Sequence, residues 1–257
     1  TEGLTAGYFG SPHLKPDFSP DLLLSHNYIT HLLVVRKTLI DSVGGPRPSF
    51  DGAQDYDFIL RLSEQTDKIA HIAQPLYHWR QSSQSTSLDT GAKPEAHARG
   101  AMALREALQR RGINGEVVTA NAPHFFRVRR EVEKAPLVSV IIPFRDQPRL
   151  LQQSIGAVLE RTRYSNFQIL GVDNGSTDEL TLEIKDTLEK MSNRVSFVSF
   201  DKPFNFSELV NFGVSQAGGS HVVLMNNDIE VINGDWLSCM LEHSQRPEIG
   251  AVGGKLY

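Results

Sequence analysis

Apolar positions in the second half of the chain alternate between short unbroken runs and stripes of helical period. Four runs have the length and β-branched content of strands buried on both faces: PLVSVIIPF (136–144), FQILGV (167–172), RVSFVSF (194–200) and HVVLM (221–225). The segment after the first run repeats apolar residues on one helical face, at Leu150, Leu151, Ile155, Val158 and Leu159. The alternation predicts an α/β fold with a right-handed, doubly wound parallel sheet and a ligand site beyond the carboxyl ends of its strands.

Residues 1–115 follow a less regular pattern. HLLVVRKTLIDSVGG predicts a strand that runs into a helix stopped by a pair of glycines. DYDFILRLSEQT predicts a short amphipathic helix, KIAHIAQPLYHWR a strand followed by a turn at Pro75, and residues 94–112 a strong helix closed by glycine. We therefore predict two parts, 1–115 and 136–257, joined by a linker over 116–135 that contains a strand or two.

Composition excludes several classes of protein. With 40% hydrophobic and 22% charged residues the chain is typical of globular proteins, and its formal charge of −4 gives no basic field for nucleic acid. The single cysteine, Cys239, excludes an internal disulfide bond and a zinc site built from cysteines, and is typical of a reducing compartment. No apolar run reaches the roughly 18 residues that span a bilayer.

The strand ends lack the usual glycine-rich phosphate loops. A dinucleotide site needs G-x-G-x-x-G after its first strand, but here that strand is followed by FRDQPRLL, and the sequence has no Walker loop. A phosphate-bearing ligand would then need a cation held by carboxylates. The segment LMNNDIEV (224–231) has suitable oxygen ligands directly after the fourth run, in Asn226, Asn227, Asp228 and Glu230. The alternative is a polar turn whose side chains bond only their own backbone.

A second polar strand end, VDNGSTDE (172–179), follows the second run. Asp173 and Asn174 have the hydrogen-bonding groups needed to recognise a base or a ribose. The alternative is a plain turn in which Ser176 or Thr177 caps the next helix. Two acidic strand ends in one sheet indicate a binding site more strongly than either does alone.

Together these motifs resemble the inverting family 2 glycosyltransferases with the Rossmann-like GT-A fold. LVSVIIPFRDQPRLL…FQILGVDNGSTDE (137–179) is similar to the opening of that domain, and HVVLMNNDIEVINGDWL is similar to its metal-motif segment. The intervening FDKPFNFSELVNFGVSQAGG is similar to rhamnosyltransferase-like and O-antigen or polysaccharide-assembly members. The resemblance implies that Pro143, Asp173 and Asn174 bracket the nucleobase.

The resemblance also assigns the cation site. The family's D-x-D motif binds the cation and the diphosphate, and Asn226-Asn227-Asp228 stands at its position. Asn226 replaces the first aspartate, so Asp228 is the charged ligand of Mn²⁺ or Mg²⁺, and the two asparagines contact the sugar nucleotide.

The first part resembles the acceptor side of the same kind of domain, which in the family follows the metal motif. VVRKTLIDSVGG, FDGAQDYDFILRL and KIAHIAQPLYHWR carry this resemblance. It implies that Asp55 of GAQDYD is the catalytic base, with Gln54 where the family often has glutamate, and that His78 of LYHWR approaches the metal or the diphosphate. The alternatives are that Asp55 is the N-cap of the next helix and that His78 is a packed strand-end residue.

The order of the two parts is inverted relative to one complete domain. We expect 1–115 to be the end of one glycosyltransferase domain and 136–257 the start of a second, within a longer tandem enzyme. Asp55 and Asp228 then serve different active sites. The alternative is that the halves pair, within a chain or in a homodimer, into one permuted unit, because open sheet edges favour pairing.

The expected function is an inverting, cation-dependent transfer of a sugar from a nucleotide-diphosphate donor to a glycan or lipid-linked glycan acceptor. Its setting would be surface polysaccharide or O-antigen synthesis, in the cytoplasm or at the inner face of the membrane. One alternative is a non-catalytic sugar-binding module of the same fold. Another is a sugar-phosphate nucleotidyltransferase, which is expected to have a glycine- and arginine-rich phosphate loop that PFRDQPRLL lacks.

Overall fold

A computed structural model describes residues 13–76, 78 and 94–254. The chain divides into two compact units, Thr1–Arg130 and Glu131–Tyr257. In the described ranges no helix is long and apolar enough to cross a membrane.

The first unit is built from helices and one hairpin. Its described elements are α1 (Pro20–Leu23), α2 (Lys37–Val43), a 3-10 helix (Pro48–Phe50), α3 (Gln54–Ser63), α4 (Pro94–Arg110), β1 (Gly115–Thr119) and β2 (Phe126–Arg130). The core lies where α3 and α4 meet, around the fully buried Phe50, Leu60 and Leu104. The helices predicted over DYDFILRLSEQT and 94–112 are confirmed as α3 and α4.

The predicted linker is part of the first unit. Strands β1 and β2 pair antiparallel from Gly115↔Arg130 to Thr119↔Phe126. Val117 and Phe126 are buried in the core of the first unit, and the boundary between the units follows Arg130. The strand or two expected between the two parts are therefore β1 and β2, and their hairpin buries apolar side chains that a solvated linker would expose.

Two strands predicted in the first part are absent from the described residues of this unit. Residues 31–36 and 68–76 are extended or irregular without a ladder partner, and Leu32, Val34 and Ile72 expose 72%, 90% and 64% of their surface. A strand needs a neighbour for its backbone groups, and the described part of this unit offers these two segments none. The helix α2 that follows ends at Gly44, whose φ of 76° is one that glycine adopts readily.

The second unit contains the predicted parallel α/β sheet. Its elements are β3 (Val138–Phe144), α5 (Pro148–Arg161), β4 (Phe167–Asp173), α6 (Glu179–Met191), β5 (Val195–Ser199), α7 (Phe206–Gln216), β6 (His221–Leu224) and α8 (Trp236–Ser244). The strands are parallel, in the order β5-β4-β3-β6. The alternation of apolar runs and helical stripes therefore predicted these elements correctly.

Both faces of this sheet are covered. Side chains of α5, α6 and α8 pack on one face, with Leu151, Leu188 and Leu237 in that cluster. Helix α7 covers the other face through Leu209. Helix α7 approaches closely because residue 213 is glycine: a Cβ there would lie 2.8 Å from the side chains of both Ile141 and Val172.

Candidate functional site

The strand order of the second unit reverses at β3. The chain builds β3, β4 and β5 in one direction across the sheet and then returns to add β6 on the other side of β3. In open parallel sheets, ligands bind at the carboxyl ends of the strands where the order reverses in this way. The residues that follow β3, β4 and β6 therefore line the candidate site.

Pro143 lies next to the end of β3, where the ladder to β6 has already stopped. Strand β6 pairs only with residues 138–141, and the carbonyl of Ile141 accepts a hydrogen bond from Met225 at 3.0 Å. The backbone of Pro143, two residues further on, faces the same edge of β3 as that of Ile141. Because β6 does not pair with β3 there, the N–H that proline lacks costs no hydrogen bond of the ladder. Pro143 thus lies where the pairing of β3 with β6 has ended.

Asp173, the last residue of β4, is buried and held by two donors. Its Oδ1 accepts a hydrogen bond from the Ser176 backbone at 2.8 Å, and its Oδ2 accepts one from the Lys185 ammonium. Burial by itself would raise the pKa of this carboxyl, but the hydrogen bonds from Lys185 and Ser176 lower it below its usual value. The structure therefore places an ionised carboxylate of fixed orientation at this strand end.

Asn174 is turned inward and links two strand ends. Its Nδ2 donates to the carbonyl oxygens of Phe200 at 3.0 Å and Lys202 at 2.9 Å, and its backbone N–H donates to Phe144 at 3.0 Å. Its Oδ1 is buried and has no hydrogen-bond partner among the described residues. Both donors of the carboxamide are used on the protein, so recognition of a base through this N–H₂ group would break these contacts.

Asp146 was not singled out by the sequence analysis. The carboxylate accepts hydrogen bonds from the backbone of Thr177 at 2.8 Å and Asp178 at 3.0 Å, and its own N–H donates to Ser176 at 2.8 Å. The N–H bonds from Asp178 and Thr177 lower its pKa. Asp146 thereby ties the loop after β3 to the turn after β4, and a φ of 52° makes this geometry possible.

The cap of helix α6 differs from the prediction. Asp178, rather than Ser176 or Thr177, is its N-cap, and the Asp178 carboxylate accepts a hydrogen bond from the Thr181 backbone at 3.0 Å. Ser176 and Thr177 belong to the preceding turn, which binds Asp146. The backbone N–H of Asp178 also binds Asp146, so the cap is joined to the loop after β3.

The segment after β6 presents open oxygen ligands. Asn226 and Asp228 are exposed and Asn227 is half-buried. In the described part of the chain their side chains have no hydrogen-bond partner, so the alternative of side chains bonded to their own backbone is not seen there. Glu230 differs, because its carboxylate pairs with Arg161 at 2.7 Å. Glu230 is therefore committed to a structural contact, and Asp228 is the open carboxylate.

No preassembled metal site lies among the described residues, where three or more histidine, cysteine, aspartate or glutamate side chains never converge. The donor set after β6 nevertheless suits Mg²⁺ or Mn²⁺, since these ions are often held by one or two carboxylates, with substrate phosphates completing the shell. Asp228 with the neighbouring carboxamides fits such a partial site.

In the first unit, Asp55 lies in the first turn of α3 and is half-buried. Its Oδ2 accepts a hydrogen bond from Asn27 at 2.9 Å, and its Oδ1 accepts one from the Tyr56 backbone at 2.9 Å. The N-cap of α3 is Ala53, without a side-chain bond, so Asp55 is not the cap. Gln54 accepts from the Gly52 backbone at 2.6 Å.

A second acid of the same helix, Asp57, was missed by the sequence analysis. It is fully buried and bound by the guanidinium groups of Arg47 and Arg61. Burial by itself would raise the pKa of Asp57, but the hydrogen bonds from Arg47 and Arg61 lower it. His78 is exposed, and the residues around it lie outside the described ranges.

The chain matches known proteins in two ways. Residues 139–257 match the family described as Glycosyl transferase family 2. Two relatives match nearly the whole chain: the O-antigen biosynthesis protein RfbC of Myxococcus xanthus is 43% identical over 99% of it, and the uncharacterized protein y4gI of Sinorhizobium fredii is 44% identical over 95%. The chain spans only 20% and 27% of the lengths of these two relatives.

Solved structures show a low similarity. The mannosyltransferase PcManGT from Pyrobaculum calidifontis, in complex with GDP-Man and Mn²⁺, is 18% identical with a TM-score of 0.43, over 60% of this chain and 43% of its own. Residues 1–349 of TarS from S. aureus, in complex with UDP-GlcNAc, are 22% identical with a TM-score of 0.36, over 42% of this chain and 31% of their own.

Proposed function

We propose that this chain, whose residues 139–257 match glycosyl transferase family 2, is a member of that family and binds a nucleotide-diphosphate sugar at the carboxyl ends of β3, β4 and β6. One observation carries the proposal: the matched residues contain both polar strand ends, with the buried carboxylate of Asp173 on one side of β3 and the open carboxylate of Asp228 on the other. Such a pair suits a ligand with a base at one end and a diphosphate at the other.

In this proposal Asp173 recognises the nucleobase, and Asp228 holds a divalent cation. Asn226 and Asn227 add carboxamide oxygens next to the diphosphate. When bound, the cation neutralises the charge that develops on the leaving diphosphate. Asn174 contributes indirectly, by joining the end of β4 to the loop of Lys202.

The longer protein would transfer the sugar with inversion, and its first domain would supply its own base. The acceptor hydroxyl oxygen forms a bond to the anomeric carbon while the bond from that carbon to the diphosphate breaks, and the nucleoside diphosphate leaves with the electron pair. Asp55 accepts the hydroxyl proton. The half-buried carboxylate of Asp55, oriented by Asn27, supports this role. We also propose that His78 binds the metal or the diphosphate in the same domain.

We propose that the two units are the end of one glycosyltransferase domain and the start of the next. Their inverted order along the chain and the 20% coverage of a longer relative support this arrangement. The similarity to an O-antigen biosynthesis protein supports a setting in surface polysaccharide synthesis. We propose a glycan or lipid-linked glycan acceptor, and a location in the cytoplasm or at the inner face of the membrane. A stable homodimer in sedimentation equilibrium would favour pairing of half-domains instead.

Calorimetric titration of the chain with UDP and dTDP, each with and without Mn²⁺, tests the donor site. Binding that requires Mn²⁺ is the expected result. Absence of binding by the chain, together with binding by the longer protein, would show that the donor site needs residues beyond this segment. Absence of binding by both would overturn the proposal.

The base is tested in the longer protein with Asp55→Asn. We expect nucleotide affinity to survive and sugar transfer to fail, because the amide has no basic lone pair to accept the proton. Loss of both to the same extent would indicate that Asp55 has only a structural role.

A further inference from the structure

The ion-pair partner of Asp173 comes from a different element, helix α6. Lys185 Nζ donates to Asp173 Oδ2, and the side chains of Lys185 and Asp173 expose only 18% and 5% of their surface. Burial of a lysine is costly unless its charge is compensated. Solubility alone therefore does not explain a lysine at this position.

Two phenyl rings complete the surroundings of the ammonium group. Lys185 Nζ lies 5.9 Å from the ring centre of Phe144, at the end of β3, and 5.7 Å from that of Phe197, on β5. The Phe197 ring lies directly over Gly171 of β4, where any Cβ would overlap it. These contacts hold the ammonium beside the ends of β3 and β4 and next to the middle of β5, because a cation is attracted to the face of an aromatic ring.

The acidic groups near Lys185 on its own helix are engaged elsewhere. Glu189, one turn later, accepts a hydrogen bond from the Phe197 backbone at 3.0 Å, and Asp186 pairs with Lys190. Among these carboxylates, Asp173 is therefore the one that pairs with Lys185.

The pair leaves part of the acceptor capacity of Asp173 unused. Ser176 N–H occupies one lone pair on Oδ1 and the Lys185 ammonium occupies one on Oδ2. The Ser176 side chain also hydrogen-bonds to this carboxylate. An ionised carboxylate has about four acceptor sites, so it retains capacity for about one more donor. Without Lys185, burial would favour the protonated form, whose O–H is a donor.

We propose that Lys185 is a positioning residue for nucleotide recognition: it holds the Asp173 carboxylate in one orientation as an acceptor for a ring N–H of the nucleobase. This inference rests on the proposed function, in which Asp173 contacts the base. The inference also predicts which nucleobases the nucleotide-sugar donor can carry. Uracil, thymine and guanine have a ring N–H on the pairing edge, whereas cytosine and adenine have a bare ring nitrogen there, which a carboxylate repels.

The test compares UDP and CDP, which share the ribose and diphosphate and differ only in the base. Calorimetry in the presence of Mn²⁺ is carried out on the unaltered chain and on Lys185→Met, Lys185→Arg and Lys190→Met. The last variant is a matched control, since Lys190 lies on the same helix in an exposed pair with Asp186, with side chains 73% and 63% exposed. Thermal unfolding of each variant is followed in parallel.

The unaltered chain is expected to bind UDP more tightly than CDP. Lys185→Met is expected to weaken UDP binding by about tenfold or more, the usual scale for a hydrogen bond to a charged group, and to bring the affinities for UDP and CDP together. Lys185→Arg is expected to retain most of the UDP preference, and Lys190→Met all of it.

Three results would overturn the positioning role. One is a Lys185→Met chain that folds and keeps the UDP preference of the unaltered chain. Another is an unaltered chain that binds but prefers CDP. If Lys185→Met does not fold, Lys185→Gln replaces it, and a UDP preference in Lys185→Gln equal to that in Lys185→Arg would show that the charge is irrelevant. If neither the unaltered chain nor the longer protein binds either nucleotide, the proposed function is overturned as well. Failure of the positioning role alone is thereby distinguished from failure of the proposed function.

Discussion

Asp57 and Arg61, one turn apart in helix α3, form a buried ion pair with an N–O distance of 2.9 Å. Arg61 also donates to the carbonyl oxygens of Val43, Gly44 and Gly45, at the end of α2. The pair therefore joins two helices, and it distinguishes Asp57, a structural acid, from Asp55, the proposed base two residues earlier.

Replacing Asp57 with asparagine is expected to destabilise the first unit by about 3 kcal/mol, because the buried Arg61 loses its counter-charge. The measurement is native-state hydrogen exchange of the amides in α3 and α4. Asp41→Asn is the control, since Asp41 pairs with Lys37 at the surface, where such pairs contribute less than about 1 kcal/mol. Equal effects of the two substitutions would contradict the structural role of Asp57.

The same pair predicts a pH dependence. The folded-state pKa of Asp57 lies below the unfolded value of 3.8, so its stabilisation is complete above about pH 4 and is lost as the pH falls through the folded-state pKa. The difference in unfolding free energy between the unaltered chain and Asp57→Asn should therefore shrink below about pH 4. A constant difference between pH 7 and pH 3 would argue against this assignment.

Replacing Asn174 with alanine is expected to destabilise the second unit by about 1–3 kcal/mol, because two carbonyl oxygens lose their donor. Hydrogen exchange should rise most in the segment of Phe200 and Lys202, which Asn174 holds. Asn205→Ala serves for comparison, since Asn205 caps α7 and its loss should act mainly on that helix. Unchanged exchange at Phe200 and Lys202 would show that the carboxamide contributes little.

Replacing Phe126 with alanine tests whether the hairpin belongs to the first unit. Phe126 is 3% exposed and its backbone N–H donates to Ser25 at 2.7 Å, so the substitution should cost about 3–5 kcal/mol. Exchange protection should fall in the first unit and stay unchanged in β3 and β4. Phe125→Ala, at an exposed neighbouring site, should have a much smaller effect, and a true linker would show no difference between the two.

Replacing Asp228 with alanine is expected to abolish Mn²⁺-dependent nucleotide binding, because the open carboxylate is the proposed ligand of the cation. Calorimetry with UDP and Mn²⁺ measures the effect. Asp186→Ala removes an exposed carboxylate on α6 and should leave binding unchanged. Nucleotide binding by Asp228→Ala that still depends on Mn²⁺ would remove Asp228 from the cation site.

The sequence by itself determined the elements of the second unit and the two polar strand ends. Apolar runs rich in β-branched residues and apolar stripes of helical period depend only on nearby positions, so β3, β4, β5 and β6 could be predicted to within a few residues. Asp173 and Asp228 could be placed because Asp173 follows such a run directly and Asp228 lies three residues after one.

Tertiary structure alone decided which groups these side chains meet. Lys185 lies twelve positions after Asp173, and Asp146 binds a turn some thirty positions away, so no local period reveals either contact. The hairpin of β1 and β2 is part of the first unit because Val117 and Phe126 are buried in its core. Leu32 and Val34, by contrast, form no strand in the described structure, because no neighbouring strand pairs with them there. Local pattern determines the elements, but burial and partner choice depend on contacts between residues far apart in the chain.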